Sequence, residues 1–294
     1  MSGESGEQGL GDLPIWKLVP MAFGTIVMVL GIIVATEVLT RQLPGDVPRI
    51  IKNPAIGLVI TLLAQTVYAR VVMRRPLSWF LFTGPDRSTI RWTIIGLAFP
   101  AVVAIVNILV QRGELVEVVT DPRTVLISLV ASLIIGLFTG ILEEVIFRGM
   151  LYRLLEDRWN AAVAIIVPAL AFSFLHTGRA GSQLELWLVV TRVVLGGILF
   201  GLIVYRTRNL WNAIAVHAGW NFLLGARIVS VAQPGSAPDT ALVRIGLTET
   251  DFLGTAVSMS NTPTTTLLLL IACGVLLFGP VSKSSGVAPR IADE

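Results

Sequence analysis

The chain has 294 residues, 54% of them hydrophobic and 14% charged, with a mean hydropathy of +0.80. A soluble domain carries about 25% charged residues, so this composition excludes an ordinary soluble protein and indicates a polytopic membrane protein. The net charge of +3 comes from basic residues held mostly in short loops between apolar runs, without the clustered basic face that nucleic-acid binding needs.

Residues 1–13 are polar, glycine-rich and mildly acidic, with neither a basic n-region nor a cleavage-site pattern. A disordered tail is expected there, not a signal peptide. The tail contains Gly9-Leu10-Gly11-Asp12, the GxGD pattern of aspartyl intramembrane proteases. That chemistry needs aspartates at membrane depth, and all eight aspartates fall in tails or loops, so the match is accidental. About 20 apolar residues cross a bilayer, with room for short or tilted helices. Eight segments are predicted on that measure, over residues 18–39, 54–72, 92–110, 124–147, 160–176, 184–205, 210–231 and 264–281. Turn residues such as Leu43-Pro44-Gly45-Asp46 and Thr83-Gly84-Pro85-Asp86 mark the short connections. The longest loop, 232–263, is polar and carries Pro234-Gly235 and Pro238-Asp239. No internal repeat is evident. The expected fold is an all-α membrane protein: a polytopic bundle of about eight transmembrane helices enclosing a polar intramembrane cavity. One membrane domain over 14–282 is expected, followed by a C-terminal tail over 283–294.

Cytoplasmic termini put 13 lysines and arginines on the inner side against 8 on the outer, with Arg192 left inside the sixth segment. Both termini are therefore expected in the cytoplasm. The single cysteine, Cys273, lies in the last apolar run. It excludes an internal disulfide and a cysteine metal cluster, and it reads as a small core residue.

The fourth segment closes on Gly140-Ile141-Leu142-Glu143-Glu144-Val145-Ile146-Phe147-Arg148, two carboxylates and an arginine in an apolar run. Ionisable groups are costly in lipid and usually face a bundle interior or a watery cavity. Adjacent helical residues point about 100° apart, so Glu143 and Glu144 are expected to serve different partners. Arg148 follows Glu144 by four residues, the favourable order for an ion pair. The assignment is a structural Glu144–Arg148 pair, with Glu143 facing a cavity. Gly136, Gly140 and Glu144 share a face on which another helix can pack closely. The only two histidines, His176 and His217, also lie in apolar segments. If the arms around Arg158 are antiparallel helices, Glu143 and His176 each lie about 22–24 Å from the turn, at similar depth. His217 and Asn221 are four apart and share a face, suited to a polarised oxygen. His217 follows the loop at Asn209-Leu210 closely, which requires either a recessed helix start or a strong tilt. Glu185 and Arg192 are seven apart and read as a structural pair. Gly197 and Gly201 read as a close helix contact. No HExxH or GxSxG motif is present.

In order along the chain, Glu143-Glu144 to Arg148 (EExxxR), Phe172 to His176 (FxxxH) and His217 to Asn221 (HxxxN) resemble the motifs of the CPBP family. That family comprises type II CAAX prenyl proteases and bacteriocin-processing or self-immunity (Abi) proteins. The resemblance covers a motif core of 124–225 and no motif position departs from it. It implies an eight-helix fold with a cavity open to the cytosolic side and a glutamate-dependent intramembrane endopeptidase. Glu143 would activate a water with help from His176, while His217 and Asn221 stabilise the oxyanion. Glu144, Arg148 and Phe172 would support the site. No cofactor is expected; in the alternative zinc reading, Glu143, His176 and His217 would be the ligands. The expected partners are a peptide or lipid-anchored protein substrate and membrane lipids, with no nucleic acid, in a bacterial plasma membrane. The competing reading is a non-catalytic scaffold or self-immunity protein of the same fold. A proton-relay transporter is disfavoured by the missing repeat.

Overall fold

A computed structural model describes residues 13–45, 47–177, 182–226, 228–231, 240–247 and 259–279. Nearly all of both predicted tails and most of the 232–263 loop fall outside the described residues. The chain is an all-α membrane protein in its bulk. Its helices are α1 (Ile15–Gln42), α2 (Arg49–Val67), α3 (Arg87–Val110), α4 (Pro122–Glu144), α5 (Tyr152–Arg158), α6 (Ala161–Phe174), α7 (Gln183–Thr207), α8 (Leu210–Trp220) and α9 (Pro263–Phe278). Three wider π-helical turns extend them: Tyr68–Val72 after α2, Val145–Leu151 between α4 and α5, and Asn221–Gly225 after α8.

Among the described residues, five helical stretches are long and apolar enough to cross a membrane: Ile15–Gln42, Arg49–Val72, Arg87–Val110, Pro122–Arg158 and Gln183–Thr207. Ala161–Phe174 and Pro263–Phe278 are shorter apolar helices. The outer faces of α1 and α3 expose Val19, Phe23, Val34, Ile90, Ile94 and Ile105. In water such a surface would be untenable, and in lipid it is the expected one.

Helix starts follow local capping chemistry. Asp86 caps α3 in a reciprocal box with Thr89, Asn160 caps α6, Ser182 caps α7, Asn209 caps α8 and Thr262 caps α9. The Asn209 amide also donates to the Gly84 carbonyl (3.1 Å) and to Asp86 (3.0 Å). Leu210 N–H donates to the Leu81 carbonyl (3.0 Å). Leu210 and Ala213 are fully buried. Helix α8 therefore starts beneath the 77–86 segment.

Two departures concern strands. The segment 210–231 is not helical throughout, because Val229–Val231 forms β2. It joins a small sheet of order β1-β3-β2, with β1 at Gly113–Val118 and β3 at Val243–Leu247. β1 is antiparallel to β3 and β2 parallel to it. The valine-rich, β-branched composition of β1 and β2 suits strands, but the pairing joins residues about 130 positions apart, which no local pattern announces.

Candidate active site

Helix α4 packs against α8 along its small-residue stripe. A Cβ at Gly136 would lie 2.6 Å from the Ala218 carbonyl oxygen, and one at Gly140 would lie 3.4 Å from the Ile214 carbonyl oxygen. This close approach brings the end of α4 onto His217. Glu144 is fully buried and Arg148 is 1% exposed. Arg148 Nη1 donates to Glu144 Oε1 at 3.2 Å, the expected pair. The same oxygen lies 2.8 Å from His217 Nδ1. Arg148 keeps Glu144 an acceptor, so His217 donates Nδ1–H to it and turns Nε2 outward.

His217 Nε2 lies 3.4 Å from Glu143 Oε2. The expectation that adjacent glutamates serve different partners is thus corrected: Glu143 and Glu144 hold opposite nitrogens of one imidazole. The 100° offset still operates, because the flat ring sits between the two directions and offers each carboxylate its own nitrogen. Glu143 is 19% exposed and borders the cavity, whereas Glu144 is sealed behind it.

His217 is clamped from its face as well. Phe200 of α7 stacks on it with ring centroids 4.6 Å apart and an interplanar angle of 14°. Arg148 lies over the Phe172 ring at 4.6 Å and the Phe200 ring at 5.5 Å. Gly197 makes room for this cation, since a Cβ there would stand 2.8 Å from Arg148 Nη2 and 2.8 Å from the Ala169 Cβ. The Gly197/Gly201 pattern is therefore a close helix contact with α6, as read, and also the seat of the guanidinium.

One turn beyond His217, Asn221 donates Nδ2–H to Thr139 Oγ1 at 2.8 Å. His176 lies just past the end of α6, with Nδ1 3.0 Å from the Phe172 carbonyl. A carbonyl only accepts, so Nδ1 carries the proton and Nε2 carries the lone pair when the ring is neutral. Phe172 holds this ring edge-on at 4.5 Å. Glu143, His176, His217 and Asn221 all line one cavity of about 720 Å³. Its wall includes Leu30 and Ile33 of α1, both about half exposed.

Several neighbours of the site carried no signal in sequence. Thr139 and Phe200 are ordinary residues of apolar helices. Arg192 does not pair with Glu185: it lines the same cavity, and its Nε donates to Asn261 Oδ1 at 2.8 Å. Cys273 is buried beside the Leu195 carbonyl, as a core residue would be. Among the described residues no group of three His, Cys, Asp or Glu is placed to hold a metal ion. Glu143, His176 and His217 therefore do not form such a group in this arrangement.

Residues 125–223 match the family model described as Rce1-like, type II CAAX prenyl endopeptidase Rce1-like. The match runs from the first turn of α4 to the turn after α8 and includes every residue of the three motifs. Over this segment the resemblance to the CPBP family is shown. No curated protein matches the chain.

Proposed function

We propose that this Rce1-like segment, within an integral membrane protein, is the site of a glutamate-dependent intramembrane endopeptidase. The observation that carries the reading is the asymmetry of the glutamate pair. Glu144 is consumed by Arg148 and His217 in the interior, which leaves Glu143 as the carboxylate at the cavity. In the proposed reaction Glu143 takes a proton from water as the water oxygen attacks the scissile carbonyl carbon. The same proton then passes to the departing amine nitrogen as the C–N bond breaks. His176, fixed through Phe172, assists at the water with its free Nε2. Asn221 has a second amide N–H beyond the one given to Thr139. The protonated form of His217 donates through both nitrogens, Nδ1 to Glu144 and Nε2 into the site. These two groups support the oxyanion.

The reading needs no metal. The half-exposed apolar rim at Leu30 and Ile33 fits a peptide or lipid-anchored protein that enters from the bilayer. Bacterial plasma membrane and cytoplasmic termini complete the proposal. The test compares peptide termini in membranes expressing wild type or Glu143→Gln at equal levels. New termini with wild type alone are expected, with activity lower by about 10²–10⁴-fold in the variant. Identical profiles from two folded, inserted proteins would favour the scaffold or self-immunity reading.

A further inference from the structure

Support of an oxyanion by Asn221 depends on which end of its amide meets the substrate. The two ends act oppositely: Nδ2–H attracts a developing negative charge and Oδ1 repels it. Two residues outside the three motifs, Thr139 and Gly225, line the cavity beside this amide, one at each end.

Thr139 meets the donor end. Its hydroxyl donates to the Ile135 carbonyl at 2.8 Å, one turn back along α4. With that proton spent, Oγ1 is an acceptor, and Asn221 Nδ2 lies 2.8 Å from it. An inverted amide would force the hydroxyl to abandon Ile135. Gly225 meets the other end. A Cβ there would stand 2.6 Å from Asn221 Oδ1 and 3.1 Å from its Cγ, so the amide oxygen fills the space of a missing side chain.

The placement of this bond along the helices gives it a direction. Thr139 lies one turn before Glu143, and Asn221 one turn after His217, so each pair shares a face. The same two strands of helix are therefore bridged twice, by His217 Nε2 to Glu143 Oε2 at 3.4 Å and by Asn221 Nδ2 to Thr139 Oγ1 at 2.8 Å. The second bridge turns the donor end of the amide toward the face of α4 that carries Glu143.

We infer that Thr139 and Gly225 are positioning residues for the oxyanion. Thr139 holds the donor end of the Asn221 amide toward the Glu143 face, and Gly225 leaves room for its oxygen. Their effect on cleavage rests on the protease reading, but the hold on the amide is read without cleavage.

The experiment uses the full-length protein in detergent micelles, labelled with nitrogen-15 asparagine and followed by NMR of the side-chain amides. The chain has seven asparagines, and Asn221→Asp identifies the Asn221 signals by their loss. Thr139→Val should quicken water exchange of the Asn221 amide protons by about 5–10-fold, the equivalent of one hydrogen bond. Thr139→Ser keeps the hydroxyl and should stay within about twofold of wild type. Cleavage is read in membranes as the initial rate at which new peptide termini form. Thr139→Val and Gly225→Ala should each lower it by about 10–100-fold, less than outright loss of an oxyanion donor. Thr139→Ser should restore it to within about threefold. In an Asn221→Ala background, Thr139→Val should cost under about threefold more, because the amide it positions is gone. A packing role alone would lower cleavage equally in both backgrounds. Losses that multiply in the double variant, or amide exchange unchanged by Thr139→Val, overturn the positioning role. If exchange quickens as expected but wild type cleaves nothing, the protease reading fails and the hold on the amide stands. If cleavage depends on Glu143 yet Thr139→Val cleaves like wild type, the positioning role fails alone.

Discussion

Two of the glutamate–arginine clusters in this protein are joined by one continuous helical stretch, and they are finished differently. At the outer end, Glu156 accepts both terminal nitrogens of Arg208 (2.5 and 3.0 Å), the Tyr152 hydroxyl (2.9 Å) and Arg153. Every oxygen of Glu156 is used and the group is closed. At the inner end, Glu144 Oε2 and Arg148 Nη2 are buried without a hydrogen-bond partner among the described residues. The chain of contacts runs Arg148, Glu144, His217, Glu143, and it stops at a cavity. A network kept for stability alone is expected to satisfy its members, since an unmade buried hydrogen bond costs about 1–3 kcal/mol. The inner cluster bears that cost and ends on a carboxylate open to a reacting group. The outer one fastens α5 to the start of α8.

Substitutions can break this contrast. The largest effect is expected from Glu143→Gln, which should remove about 10²–10⁴-fold of cleavage with little change in unfolding midpoint, because its carboxylate is not the one paired with Arg148. A destabilisation as large as that of an Arg148 variant would show that the two glutamates share one structural role. Arg148→Ala should cost about 3–5 kcal/mol by removing the guanidinium from the buried Glu144 and leaving it to His217 alone, read as lost folded yield and a lowered thermal midpoint in detergent. Glu156→Gln should cost less, about 1–2 kcal/mol, since Arg208 can still reach water, and should leave cleavage unchanged. Cleavage that falls with Glu156 would join the two clusters into one functional unit.

The smallest expected effect is a pH effect at the loop above α8. Hydrogen bonds from Ser88, then from Asn209, hold the Asp86 carboxyl down to about 2. A lowered carboxyl contributes stability that is complete above its ordinary range near 4 and is lost as pH falls toward 2. Asp86→Asn should flatten the acid-unfolding profile in that window, followed by tryptophan fluorescence. A profile unchanged between wild type and variant would show that the cap does not couple α3 to α8.

Much of the inner cluster was legible in sequence because it is local. Glu144 and Arg148 are one turn apart, and the glycines at 136, 140, 197 and 201 mark helix contacts by their spacing. What was illegible depends on chain returning from a distance. His217 approaches Glu144 across 73 positions and bridges both glutamates, and Asn221 reaches Thr139 across 82. Arg192 had a plausible partner in Glu185 on its own helix, yet Asn261, 69 positions away, is where it bonds. The sheet was missed for the same reason, since β1 and β3 are strands through each other.

The π-helical turns carry a consequence for length variation. One begins immediately after Glu144 and another at Asn221, so two of the three motifs adjoin a wide turn. Such a turn holds one residue more than an α-helix needs for the same path. Removing a single residue from 145–151 would let the backbone relax into ordinary α geometry with its hydrogen bonds intact. A deletion before Arg148 would turn that residue by about 100° relative to Glu144 while the chain from Tyr152 onward keeps its path, taking Arg148 from its seat at Gly197. In this helix the change least visible to the backbone would be among the most damaging to the site, and a family alignment that gaps these turns would erase the feature that sets their phase.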